Sequence, residues 1–182
     1  KRLGSPDKVD ADTRFGIASN TKAFTALALG MLVEEGKLAW DAPVVNYLPQ
    51  FMMWDSWVTR QITVRDILVH NSGLGLGAGD LLWWPPSTYT PQEIMQRLRY
   101  IEPATSFRSA YAYDNVLYLV AGQLIQAVSG QSWSDFVTNR IIRPVGMKEA
   151  TTTHAAAGDA EGNVAATHAK VDGVVRVIKP FS

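Results

Sequence analysis

Apolar residues recur at helical spacing in two long stretches of the chain. In "FGIASNTKAFTALALGML", Phe24, Leu27, Ala28, Met31 and Leu32 fall at i, i+3, i+4, i+7 and i+8. Gly36 follows as a left-handed stop, so the pattern predicts a helix with one buried stripe. In "NVLYLVAGQLIQAVSG", Leu117, Val120, Ala121, Leu124, Ile125 and Val128 form a second stripe that ends at Gly130. Shorter helices are signed by their caps. "TPQEIMQRL" has Thr90 as cap, Pro91 at the first helical position and Glu93 closing a capping box. "TVRDILVH" opens with Thr63 and carries Asp66 three residues on, an acidic variant of that box, which predicts a short helix ending near His70. Ser132 with Asp135 starts "SWSDFVTNRII", which ends before Pro144. "LAWDAPVVNYLPQF" reads as a connection punctuated by proline that buries aromatic and branched residues.

After about residue 150 the period changes from helical to alternating. "HAKVDGVVRVI" alternates around Asp172-Gly173, a type I′ hairpin signal. The sum is about five helices and one hairpin, an α+β chain with no internal repeat. A lone hairpin is marginally stable in water. The two strands therefore call for a sheet that the chain does not obviously supply, and association through missing sheet strands is an expectation.

Composition narrows the classes of partner. The chain has 182 residues, of which 47% are hydrophobic and 19% charged, enough apolar material for one core and one domain. Seventeen basic residues balance seventeen acidic ones, so nothing favours nucleic acid or an acidic membrane surface, and a small neutral or zwitterionic partner is left. The longest apolar run, Ala26 to Val33, is far below the roughly 20 residues a membrane span needs, so no transmembrane segment is expected. With no cysteine there is neither disulfide nor thiol nucleophile. His154 and His168 have no ligand spacing with each other or with a carboxylate, so no metal and no cofactor is expected. "KRLGSPDKVDADTRF" has no signal peptide and reads as the middle of a chain.

Two constellations could carry chemistry. Ser19-x-x-Lys22 stands at the head of the first apolar helix, one turn apart on one face. A serine hydroxyl becomes nucleophilic when a neighbouring base takes its proton, and a lysine in a desolvated site of positive potential can be that base. The Ser19 backbone N–H would face an incoming carbonyl oxygen as half of an oxyanion hole. The plainer reading is a helix cap. In "SAYAYDNVLY", Tyr113 and Asn115 stand two apart at a loop-to-helix junction, where a phenol can relay a proton and an amide can hold the lysine or a substrate amide. There too the plainer reading is that Tyr113 packs in the core while Asp114 or Asn115 caps the helix.

Three further features have bland readings. His70 lies in a turn and reads as a structural, hydrogen-bonded histidine. "GLGLGAG" follows a helix instead of a strand, which argues against a dinucleotide site and for a flexible loop. It leads into "DLLWWPPSTY", whose Trp83 and Trp84 could form an aromatic rim on a substrate pocket, although burial of at least one of them is expected.

Taken together, these blocks resemble the serine β-lactamases and penicillin-binding proteins, in particular the class C-like branch that includes serine esterases, D-aminopeptidases and DD-carboxypeptidases. "FGIASNTKAFTALALGMLVEEGKLAWDAPVVNYLP" is similar to that branch's nucleophile helix and the segment after it. "ITVRDILVHNSGL" resembles its His-x-Ser-Gly-Leu turn, "YAYDNVLYLVAGQLIQAVSGQSW" its Tyr-x-Asn block, and "IIRPVGM" the turn that follows. The resemblance implies a β-lactamase/transpeptidase-like α+β fold and a serine hydrolase that cleaves an amide or ester of a small-molecule or peptide-like acyl substrate. By this resemblance Ser19 is the nucleophile, and Lys22 is its proton acceptor or the group that tunes it. Tyr113 is the proton relay, and Asn115 orients Lys22 and the substrate. The resemblance also implies a periplasmic or secreted bacterial location.

The family's third motif, Lys-Thr-Gly or His-x-Gly, has no match: "HAA", "HNS", "HAK", "KVD" and "KPF" all differ. The chain therefore reads as a partial catalytic domain over 1–182, helical over about 15–148 and β-rich over about 150–182, with much of the antiparallel sheet missing. A protein that captures an acyl ligand without turnover, or an inactive section of the enzyme, is the alternative.

Overall fold

The computed structural model describes residues 1–157 and 162–179. Six helices and one hairpin are present among them: α1 (Thr21–Glu34), α2 (Ser56–Gln61), α3 (Pro91–Arg97), α4 (Val116–Ser129), α5 (Trp133–Val137), α6 (His154–Ala157), β1 (His168–Val171) and β2 (Val174–Val177). Helices α1 and α4 pack on each other, α5 closes against both, and α3 lies on α4. Ala28, Leu29 and Leu32 of α1 meet Val120, Ala121, Leu124 and Ile125 of α4, with Phe136 of α5 and Ile94 of α3 completing one continuous core. Each such side chain contributes about 1.5–3 kcal/mol by leaving water. Val44, Phe51, Ile62 and Leu74, from the connections, are also fully buried, which is why so much irregular backbone is held in place.

The stripe of α4 falls where the spacing puts it, and Gly130 ends the helix at φ 72°. The stripe of α1 does not. Its buried positions are Thr25, Ala28, Leu29 and Leu32, while Leu27 is 51% exposed. The reason is tertiary: α1 faces both α4 and α5, and Trp133 Nε1 donates to Thr25 Oγ1 at 3.0 Å, drawing that threonine inward.

Thr90 and Glu93 form the full capping box, with Pro91 opening α3. The Thr63 box also forms, since Thr63 N and Oγ1 donate to Asp66 Oδ2 and Asp66 N donates to Thr63 Oγ1. The expected helix to His70 is absent, however, and the segment runs as consecutive turns. Leu68 N turns back to Arg65 O, three residues before it, and His70 takes φ 59° with its carbonyl accepting from Ala112 N, so a tight turn and a left-handed residue held by neighbouring chain interrupt the helical ladder. Helix α2 was not legible from apolar spacing. Its signal was Asp55, whose carboxylate accepts from Trp57 N and Val58 N. Helix α5 continues as a π-turn over Thr138–Ile142, up to the expected stop before Pro144.

The tail, expected to be β-rich from about 150, opens instead with α6 and turns into strands only at His168. The hairpin register pairs Val171 with Val174, and Asp172 and Gly173 both take positive φ, as a type I′ turn requires. The sheet formed by described residues has two strands. It is tied to the start of the chain, with Arg14 bridging Val164 and Leu3 N donating to His168 Nε2 at 3.0 Å. The "KPF" tract extends beyond the described residues, as do residues 158–161.

The glycine loop expected to be flexible is packed at Gly73, Gly75 and Gly79, while Leu76 and Gly77 face open space. Gly73 O accepts from Ala104 N and Thr105 N, and a Cβ on Gly73 would lie 2.4 Å from Thr105 O. Only glycine permits that approach.

Candidate active site

The site forms where the start of α1 meets the start of α4. Ser19 lies in a 3-10 turn, Ala18–Asn20, that runs directly into α1, and Lys22 is in the first turn of α1 itself. Ala18, immediately before the serine, takes φ 45°, a left-handed value that costs an alanine about 1–3 kcal/mol. Backbone strain of this kind is retained where the surroundings over-determine the geometry.

Across the cleft, Asp114 does the capping. Its Oδ1 accepts from Leu117 N at 3.1 Å, and its side chain is fully buried. Asn115, the formal cap position, makes no capping bond. Division of labour between neighbours thus leaves Asn115 free to face α1. Lys22 Nζ donates to Asn115 Oδ1 at 2.7 Å, to Tyr113 Oη at 2.7 Å and to Ser19 Oγ at 3.2 Å. Those three acceptors match the three hydrogens of an ammonium group. Ser19 Oγ and Tyr113 Oη share a hydrogen bond of 2.7 Å.

The electrostatics follow from this arrangement. Hydrogen bonds from Lys22 and Ser19 hold the Tyr113 phenol below its ordinary value near 10. The Lys22 cation also lies 4.8 Å from the Tyr113 ring centroid and 5.1 Å from that of Tyr118, so it is flanked by aromatic faces. Behind Tyr113, the His70 ring lies 4.5 Å away at a 30° tilt. His70 Nδ1 accepts from Asp114 N at 3.2 Å, which puts the ring proton on Nε2. Burial, and then the Lys22 charge, lower the His70 pKa. The 3.8 Å approach of Nδ1 to Asp114 Oδ2 is therefore not an ion pair. His70 is a support for the tyrosine, held by its left-handed turn. Burial pushes the Asp114 carboxyl up to about 6 against the hydrogen bonds from Leu117 and Ser72.

Of the six residues singled out from sequence, the fold brings Ser19, Lys22, Tyr113 and Asn115 within one hydrogen-bonded network. Trp83 and Trp84 are not in it. Trp83 is half-buried against the core and Trp84 is 41% exposed. Their backbone N–H groups donate to Asp80 O at 3.1 and 2.8 Å, which ties them to the Asp80 loop. A groove of about 350 Å³ on that loop runs between Gly79, Leu82, Tyr89, Arg97 and Ile101.

One member of the network was not anticipated. Asp80 Oδ2 accepts from Asn115 Nδ2 at 3.0 Å. Its sequence signal was available, because Asp80 is the only acidic residue between Asp66 and Glu93. Among the described residues no three His, Asp or Glu side chains converge as a metal site, and no helix is long and apolar enough to cross a membrane.

Comparison with known proteins identifies the family. The chain is 34% identical over 148 residues to an unguisins hydrolase of Aspergillus campestris, covering 76% of this chain and 27% of that protein. It is 28% identical over 155 residues to penicillin-binding protein 4 of Amycolatopsis lactamdurans, covering 82% of this chain and 39% of the relative. The crystal structure of D-amino acid amidase from Ochrobactrum anthropi SV3 superposes with a TM-score of 0.64 at 32% identity, over 78% of this chain and 42% of that one. The chain thus spans well under two thirds of the length of these relatives. A β-lactamase family model matches residues 1–180, and with these hydrolase and penicillin-binding relatives it shows that the chain belongs to the β-lactamase family, with a β-lactamase/transpeptidase-like fold.

Proposed function

We propose that this chain carries the nucleophile half of a serine hydrolase that opens an amide or ester through a covalent acyl-serine. The observation that carries the reading is the single cation, Lys22 Nζ, hydrogen-bonded at once to Ser19, Tyr113 and Asn115. In the form ionised at Tyr113, Ser19 Oγ attacks the substrate carbonyl carbon while its proton passes to the phenolate oxygen, 2.7 Å away. The downward direction of the Tyr113 shift favours that ionised form, and Lys22 is the charge that stabilises it. The Ser19 N–H, at the positive end of the helix, is an oxyanion donor. As the tetrahedral species collapses, the leaving amine or alcohol takes its proton back from Tyr113. Water then attacks the Ser19 ester, releasing the acid and restoring the hydroxyl.

The D-amino acid amidase neighbour favours an amide as the bond cleaved. The penicillin-binding relative favours a second reading, capture of an acyl group with slow release.

Intact-mass analysis separates the two. The chain, the longer protein that contains it, and Ser19→Ala of each are incubated with a fluorophosphonate and with a penicillin. Adducts that vanish in Ser19→Ala support the nucleophile. Loss of the penicillin adduct over minutes means turnover, and its persistence means capture. Adducts that survive Ser19→Ala would overturn the reading, and absence of any adduct on every form would leave the Ser19 cluster a structural hydrogen-bond network.

A further inference from the structure

We infer that Asp80 is a positioning residue for this site: its carboxylate sets which way the Asn115 amide faces, and through that amide the place of Lys22. The catalytic half of this inference rests on the acyl-serine reading above, and the geometric half stands without it.

An asparagine amide has an oxygen that only accepts and a nitrogen that only donates, and the two ends are nearly equal in shape. Packing alone does not choose between them. Lys22 needs the oxygen, because an ammonium has no lone pair to receive a hydrogen bond. Asp80, an acceptor with no proton to give when ionised, needs the nitrogen. With Nδ2 donating to Asp80 Oδ2 at 3.0 Å and Oδ1 accepting from Lys22 at 2.7 Å, both demands are met in one orientation. The opposite orientation sets donor against donor and acceptor against acceptor. Asp80 Oδ1 is buried with no hydrogen-bond partner, so no second donor draws the carboxylate away from Asn115.

The backbone registers the two residues with each other. Gly79 takes φ 76°, and a Cβ there would lie 3.0 Å from Ile101 Cδ1 and 3.3 Å from Cγ2 of Val116, the residue next to Asn115. The loop is thus seated directly on the first turn of α4. Asp80 O in turn holds the N–H groups of Trp83 and Trp84. Displacement of that aromatic segment would reach Lys22 through one carboxylate and one amide.

Two measurements on the same variants test this: the side-chain amide NMR signals of Asn115, and the rate of Ser19 modification by a fluorophosphonate between pH 6 and 10, the longer protein being used where the chain alone is not modified. Asp80→Ala is expected to collapse the separation of the two Asn115 amide proton shifts and speed their exchange with water. It should also slow Ser19 modification at least tenfold. In an Asn115→Ala background, Asp80→Ala should change the rate less than twofold, because the amide it acts on is gone. Asp80→Asn, whose side-chain oxygen can still accept from Nδ2, should recover most of the rate. Asp80→Leu, similar in volume and without an acceptor, repeats the test should the smaller side chain cost the fold. Unchanged Asn115 signals in Asp80→Ala, or effects of the two alanine variants that multiply, overturn the inference. If Ser19 is modified in no form of the protein, the acyl-serine reading falls, while the amide signals still decide the role of Asp80.

Discussion

Two polar clusters are built into the helical body, and they use charge in opposite ways. Under the 63–70 turns, Asp66 accepts from Thr63 N, Thr63 Oγ1, Asn71 and the Arg108 guanidinium. Burial works to raise its pKa, but Arg108 and these donors win and hold it at about 2. That is a neutralised ion pair, and what it contributes is stability. Around Lys22 the cation meets neutral hydroxyl and amide oxygens instead, and the nearby carboxylates, Asp80 and Asp114, stand one residue back. A cation with no direct counter-ion shifts the acidity of the groups it touches. The same kind of interaction therefore locks one cluster and primes the other.

The sharpest way to break this contrast is at Tyr113. Tyr113→Phe keeps the ring on His70 and removes the proton relay, so Ser19 modification should fall by about 10²–10⁴-fold with little change in unfolding midpoint. If the midpoint falls and the modification rate does not, the Lys22 cluster is structural after all. With the phenol held below 10, the wild-type rate should rise with pH and level off below that value.

Asp66 should show the converse. Asp66→Ala leaves Arg108 without its partner. Because the Arg108 side chain is 48% exposed and water can take over, the loss should be about 2–3 kcal/mol in urea unfolding, at the low end for a buried pair. The modification rate per folded molecule should stay within twofold.

The pH dependence of stability separates the two buried carboxyls. Asp66 has a depressed pKa, so its contribution is present above about 4 and is lost as pH falls through about 2. Asp114 has a raised pKa, so its contribution is present below about 4 and is lost as pH rises through about 6. Wild type should thus lose on the order of 3 kcal/mol between pH 4 and 7 on account of Asp114, and Asp114→Asn should flatten that limb. The smallest effect calibrates the rest: Thr90→Ala removes a neutral cap remote in sequence from both clusters, and should cost about 1 kcal/mol at every pH.

Sequence alone reached the local features whose cause is local. The α3 capping box, the Gly130 stop, the type I′ turn at Asp172-Gly173 and the α4 stripe each depend on residues a few positions apart, so spacing suffices to read them. It also named Ser19, Lys22, Tyr113 and Asn115 as one constellation, through motif order and family resemblance. Tertiary structure decided what depends on a distant partner. Thr25 is buried because Trp133 reaches it from α5, and the Thr63–His70 segment gives up its helix where His70 turns left-handed and accepts from Ala112 N and Asp114 N. Whether Asp114 or Asn115 caps α4 was open in the sequence, since both types can. Burial beside His70 took the aspartate, and the asparagine was left for Lys22. Asp80 stayed hidden for the same reason: what matters about it is a hydrogen bond to a residue 35 positions away, and no local period encodes that distance.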